Sequence, residues 1–246
     1  MEIEGWIEEF IGDTIPTWAL FTPLPDELAA RVIERLKQEA DRYWYIDPRH
    51  SLEFADRIVT IAEQRCDASQ TALGLMARGD ALRFLGRMAD AWQTLTLAGN
   101  IFQIAGDEVG WARTRIGHLY LAVKLNYVAE ALADADYAQA ILSRCDEPEL
   151  LVRLHMALAT VYTNLGEERK ALELFRSTLR IAENLGKAGE QYLGNLRPSV
   201  PVETFATMMD APAWAGCRAS AGSVQSLIVR RGAQRWQEYT SLTKIG

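Results

Sequence analysis

The chain has 246 residues, 49% of them apolar and 24% charged, with a formal net charge of −7. That length holds one or two compact domains or one elongated repeat array, and the acidic balance argues against general affinity for nucleic acid or an anionic membrane. Three scattered cysteines, Cys66, Cys145 and Cys217, and no long apolar run argue against a disulfide framework and a membrane span, and so for a reduced, cytoplasmic protein.

In chain order, Ile3, Trp6, Ile7, Phe10 and Ile11 recur at helical spacing, with Glu2, Glu4, Glu8 and Glu9 opposite. Residues 1–25 therefore read as a short amphipathic helix and a linker running from Pro16 to Pro25. The helix either caps the apolar end of the helical array beyond Pro25 or binds a separate partner. Its acidic start lacks the basic region of a secretory signal. A helix from Asp26 to about Tyr43 comes next. Asp47-Pro48 then opens a helix over Ser51–Gln64, the carboxylate capping free amides and the proline lacking one.

Ala68–Leu85 carries Leu73, Leu75, Met76, Leu82 and Leu85 at helical spacing, and Gly86 supplies a left-handed stop. Met88–Ala105 follows, with Ala91, Leu95, Ala98 and Phe102 on one stripe and Gly106 as its stop. Further helices are predicted over Glu108–Leu125, Val128–Arg144, Glu147–Leu165 and Glu167–Leu185, with Asp146 capping the start at Pro148. No segment alternates with period two, so no strands are expected.

These helices repeat. Ala91, Ala131 and Ala171 stand forty residues apart, while Gly86 with Gly166, and Gly106 with Gly186, stand eighty apart. Cys66-Asp67, Gly106-Asp107 and Cys145-Asp146 mark nearly the same point in successive units, with a drift of one residue. Small residues inside first helices, Gly79, Gly117 and Ala159, are expected to admit the second helix closely, with Leu82, Tyr120 and Tyr162 filling the space alongside. A single hairpin cannot bury its stripe, so residues 26–194 predict an all-α, α-α superhelix: a solenoid of about four stacked antiparallel helical hairpins and the start of a fifth.

The run Ala159, Tyr162, Gly166, Ala171, Phe175 resembles the tetratricopeptide pattern, as do Gly79, Leu82, Gly86, Ala91, Leu95 and Ala98. Gly117 and Tyr120 follow it with about two extra residues before Ala131. The early tryptophan of that pattern is replaced by Leu75, Arg113 and His155, the closing proline is missing, and the unit is nearer forty residues than thirty-four. The resemblance covers about residues 28–194 and implies a protein-binding scaffold or sensor, not a particular ligand. A second resemblance joins Leu24–Leu28, Lys37–Arg42 and Ile46–Arg49 to the opening of bacterial proteins that end in a caspase-like CHAT peptidase domain. It implies, as an alternative, the regulatory part of such a peptidase. No His/Cys pair of that family can be placed here, so the catalytic domain would be absent from this chain.

Chemistry finds little support. Phosphate-loop, zinc-protease and serine-hydrolase motifs are missing, and His50, His118 and His155 lack metal-ligand spacing. Neither an enzyme nor a cofactor nor a metal is implied. In tetratricopeptide superhelices the first helices line a concave groove. Carried over position by position, that groove would show Met76, Asp80 and Arg83, then Arg115 and His118, then Arg153, Met156, Thr160 and Asn164. Arginines there would suit bidentate capture of carboxylates, hence an acidic peptide or a free C-terminus. The alternative is that these are ordinary solvated positions.

Residues 195–246 break the pattern. Pro198, Pro201 and Pro212 interrupt helices, and six basic residues outnumber three acidic ones. A disordered basic tail, an idiosyncratic cap and a shifted reading frame all remain open, the last favoured because the repeat stops inside a helix. With the tail contributing nothing, the exposed end of the array would promote self-association.

Overall fold

The computed structural model describes residues 24–185; the amphipathic helix, the linker before Leu24 and the segment from residue 186 onward lie outside the described residues. Eight helices and no strand occur among the described residues: α1 (Asp26–Tyr43), α2 (Pro48–Gln64), α3 (Ala68–Phe84), α4 (Met88–Ile104), α5 (Glu108–Leu125), α6 (Val128–Arg144), α7 (Pro148–Asn164) and α8 (Glu168–Asn184). No helix among them is long and apolar enough to cross a membrane. Each has 17 or 18 residues, about 25 Å of rod at 1.5 Å per residue.

The turns explain the even lengths. Cys66, Gly86, Gly106, Asn126, Asp146 and Gly166 all have positive φ, and they fall at intervals of twenty. After each one, the next amide reaches back five residues to a carbonyl, as Arg87 N–H does to Leu82 O at 3.0 Å and Tyr127 N–H does to Ala122 O at 2.9 Å. That bond closes a Schellman turn, which ends the helix and reverses the chain. Glycine occupies this conformation without a Cβ clash, and its φ of 78° at Gly86 is the position's requirement.

Two expectations change here. Asp146 is itself the left-handed residue, and the N-cap of α7 is Glu147, which makes no side-chain capping bond. The equivalents of Cys66 and Gly106 are therefore Asp146 and not Cys145, so the register does not drift. Asn126 likewise sits forty residues from both Gly86 and Gly166, which leaves no room for extra residues in the third unit. Asp47 does cap its helix, accepting from the amides of Arg49 and His50. Asp67 and Asp107 cap α3 and α5 in the same way.

Consecutive helices pack against one another to give an α-α superhelix. The odd-numbered helices also touch each other, α1 with α3, α3 with α5 and α5 with α7. First helices thus form one layer and second helices back it.

Small residues set the spacing between the layers. A Cβ on Gly79 would lie 2.7 Å from Leu95 Cγ and 3.4 Å from the Ala91 carbonyl oxygen, and one on Gly117 would lie 2.7 Å from Leu95 Cδ1. Leu95 of α4 therefore fills a notch cut by two glycines of α3 and α5, and it is fully buried. A leucine removed from water in this way contributes about 2 kcal/mol. Ala91, Ala131 and Ala171 are buried at matching points of the second helices. Phe54 and Phe175 anchor the core near its two ends.

Candidate functional site

With a period of forty, equivalent positions of the first helices read as rungs. One rung is Ile33, Leu73, Arg113 and Arg153; another is Ala40, Asp80, Tyr120 and Thr160. A cleft of about 410 Å³ opens between α1, α3 and α5, with Ile33, Lys37, Asp41, Gln70, Leu73 and Arg113 among its lining. Three consecutive members of the first rung therefore meet in one cavity.

Charge in and around this cleft is unevenly matched. Lys37 Nζ donates to Asp41 Oδ2 at 2.6 Å, one turn along α1. Burial holds the Lys37 ammonium below the usual lysine range, opposed by the Asp41 charge. Arg83 lies 3.7 Å from Asp80 Oδ1. Arg113 and Arg153 have no carboxylate at ion-pair distance among the described residues. Burial pushes the Arg113 guanidinium below its ordinary range, and the like charge of Arg153 adds to the shift. Asp41, Asp80 and Asp107 oppose it from further away. Arg113 Nε and Gln70 Oε1 are buried without a hydrogen-bond partner. Two guanidiniums thus stand on adjacent first helices without a carboxylate at ion-pair distance among the described residues.

Tyr120 continues the surface. Burial raises its hydroxyl pKa, with Arg83 and Arg153 opposing. The Arg83 guanidinium rests 4.8 Å from the Tyr120 ring centroid and 4.2 Å from that of Phe84. Beyond Phe84 the α1–α2 turn adds Trp44, stacked at 5.7 Å and 19°, and Tyr45, edge-on at 4.7 Å.

The residues expected at the groove divide into two groups. Arg83 lies on this surface with Asp80 buried beside it, and Arg153 acts on both Arg113 and Tyr120. Thr160 is half-buried and donates to the Met156 carbonyl, and the exposed Asn164 donates to Thr160 O at 2.7 Å. Met76 and Met156 are buried, Met76 within the core shared with Leu82, Leu95 and Leu121.

Arg115 and His118 point the other way. Arg115 is buried, donates to Asp134 of α6 at 2.9 Å, and lies where a Cβ on Gly99 of α4 would stand. His118 stacks on Trp92 of α4 at 4.1 Å, and its Nε2–H donates to the Trp92 carbonyl at 3.3 Å. Burial, helped by the Arg115 charge, lowers its pKa to about 4, so the ring is neutral. Both side chains join the two layers and do not line the cleft.

The error is one of phase. Taking Gly117 as the counterpart of Gly79 set the third unit two residues early, so that His118 was read where Tyr120, forty residues from both Asp80 and Thr160, belongs. Two residues rotate a helix by about 200°, which is the opposite face. The signal that finds Arg113 is its forty-residue partner Arg153, once the third unit is read without an insertion.

Among the described residues no group of three His, Cys, Asp or Glu side chains is arranged to hold a metal ion. Cys66 and Cys145 are free and exposed. No protein-family model matches the chain, and no curated protein matches it.

Proposed function

We propose that the chain is a protein-interaction module, a tetratricopeptide-like scaffold or sensor, that binds an acidic peptide segment across its first-helix layer. The observation that carries this reading is the pair Arg113 and Arg153: adjacent members of one rung, Arg113 in the lining of an open cleft, and neither within ion-pair distance of a carboxylate among the described residues. Charged groups near a protein interior are held there at a cost unless something pairs with them. A carboxylate-bearing ligand supplies the partner, and guanidinium geometry favours a bidentate contact. Helices packed side by side lie about 8–10 Å apart. Two carboxylates on an extended segment span that distance three residues apart, at about 3.3 Å per residue.

The test is anisotropy titration of a fluorescein-labelled peptide of Glu, Ser and Gly with the full chain. Binding should weaken steeply between low and physiological salt. Arg113→Glu with Arg153→Glu should abolish it while leaving the helical circular dichroism unchanged. Unaltered affinity after that double reversal removes the site.

A further inference from the structure

Resting on the reading that an acidic segment crosses the first-helix layer, we infer that this segment also carries an aromatic side chain, which docks on Trp44, Tyr45 and Phe84 while its carboxylates reach Arg113 and Arg153. The forty-residue rungs change character along the array. Ile33 and Leu73 give way to Arg113 and Arg153, and Trp44 and Phe84 give way to Lys124 and Asn164. Ile33 is buried, so the first two units present the partly exposed Leu73, Trp44 and Phe84 where the next two present cationic and polar groups. A ligand that matches the whole surface must be apolar at one part and acidic at another.

The aromatic part is built and open. Tyr45 is 79% exposed and meets Phe84, which stacks on Trp44, and Ile46, next in the chain, is 69% exposed. Exposed apolar side chains are unremarkable one at a time, whereas a contiguous group beside a polar cleft marks a contact surface. Tyr45 meets Phe84 edge-on, with 70° between the ring planes, so the Tyr45 ring stands up from the stacked Trp44–Phe84 pair. A further ring packs against such a corner in offset or edge-to-face geometry, which an aliphatic side chain cannot reproduce.

Arg83 makes the two parts continuous. Its guanidinium spans from the Phe84 ring to the Tyr120 ring, and its Nε is buried without an acceptor. Tyr120 in turn lies within the field of Arg153. Arg83 thus links the ring cluster of the α1–α2 turn and the end of α3 to Tyr120 of α5, and Arg153 of α7 acts on Tyr120 from nearby. Charge complementarity sets the acidic half of the occupant, and the ring cluster sets its aromatic half.

Anisotropy titrations with the full chain and three labelled peptides test this. All three are built from Glu, Ser and Gly, and they carry a single central Trp, Leu or Ala. The Trp peptide should bind about tenfold more tightly than the Ala peptide, with the Leu peptide between them. Tyr45→Ala, at a position too exposed to matter for folding, should erase the Trp preference and leave the helical circular dichroism unchanged. Equal affinity for Trp and Ala peptides, or a Leu peptide as tight as the Trp one, overturns the aromatic subsite and leaves the acidic-segment reading standing. No binding of any of the three, or binding that survives Arg113→Glu with Arg153→Glu, overturns both together.

Discussion

Arg115 and Asp134 form an ion pair that joins α5 to α6, with the guanidinium almost fully buried and the carboxylate about one-third exposed. Thr114 Oγ1 accepts two further hydrogen bonds from the same guanidinium. Arg115 is thus held by neighbours on its own array and has little left for a ligand. Asp134→Ala strands a buried cation and should cost about 3 kcal/mol. Arg115→Met, which removes the charge and keeps the stem, should cost less. In a double-mutant cycle by urea denaturation, the pair should lose less than the sum of the single changes. Peptide affinity should be untouched by either change, in contrast to Arg113→Glu. A strictly additive cycle would mean that the contact contributes nothing.

His118 makes stability depend on pH in a defined window. Its folded pKa of about 4 lies below the 6.5 of the free side chain. The unfolded chain therefore takes up a proton first as pH falls. The contribution of the neutral ring is complete above pH 6.5, declines below it, and is gone near pH 4. At 1.36 kcal/mol per pKa unit this is about 3 kcal/mol. His118→Phe keeps a ring against Trp92 and should flatten the stability profile between pH 7 and pH 4.5. Imidazole proton resonances followed by NMR should show a midpoint near 4 for this residue. A midpoint near 6.5 would contradict the buried, neutral ring.

The six left-handed turn residues are not equally suited to their conformation. Cys66, Asn126 and Asp146 carry side chains at φ of 54°, 61° and 57°, where Gly86, Gly106 and Gly166 have none. Cys66→Gly and Asp146→Gly should each raise stability by roughly 0.5–1 kcal/mol, the relief of αL strain exceeding the added freedom of the unfolded chain. Asn126→Gly should gain less, because asparagine tolerates this region. Gly86→Ala should lose about 1 kcal/mol. Urea midpoints of the four variants should fall in that order, and a loss at Cys66→Gly would show that the thiol makes a contact worth more than the strain.

Much of this fold was legible because its determinants are local. Turn glycines, Asp47-Pro48 and the stripe of Ala91, Leu95, Ala98 and Phe102 announce helices within a few residues of where they begin and end. Phase was harder. Gly117 resembled Gly79, but it is the equivalent of Ala77, and the true counterpart of Gly79 is Leu119. One misaligned glycine carried Arg115 and His118 to the wrong face. The left-handed Asn126, which has no glycine to betray it, is the residue that fixes the correct register. The cluster of Trp44, Tyr45 and Phe84 joins a turn to a helix end forty residues later, and no periodicity within one helix points to it.

Identical turns at Gly86 and Asn126 bound a stretch of forty residues whose two ends see the same surroundings. Residues 87–126 could be excised, or copied in place, and the chain would rejoin in phase, each remaining helix still facing the layer it faced before. Recombination between such sites lengthens or shortens the array by whole links. Each link added inserts one more first helix into the first-helix layer, so the surface that layer presents grows by whole helices and every rung lengthens by one residue.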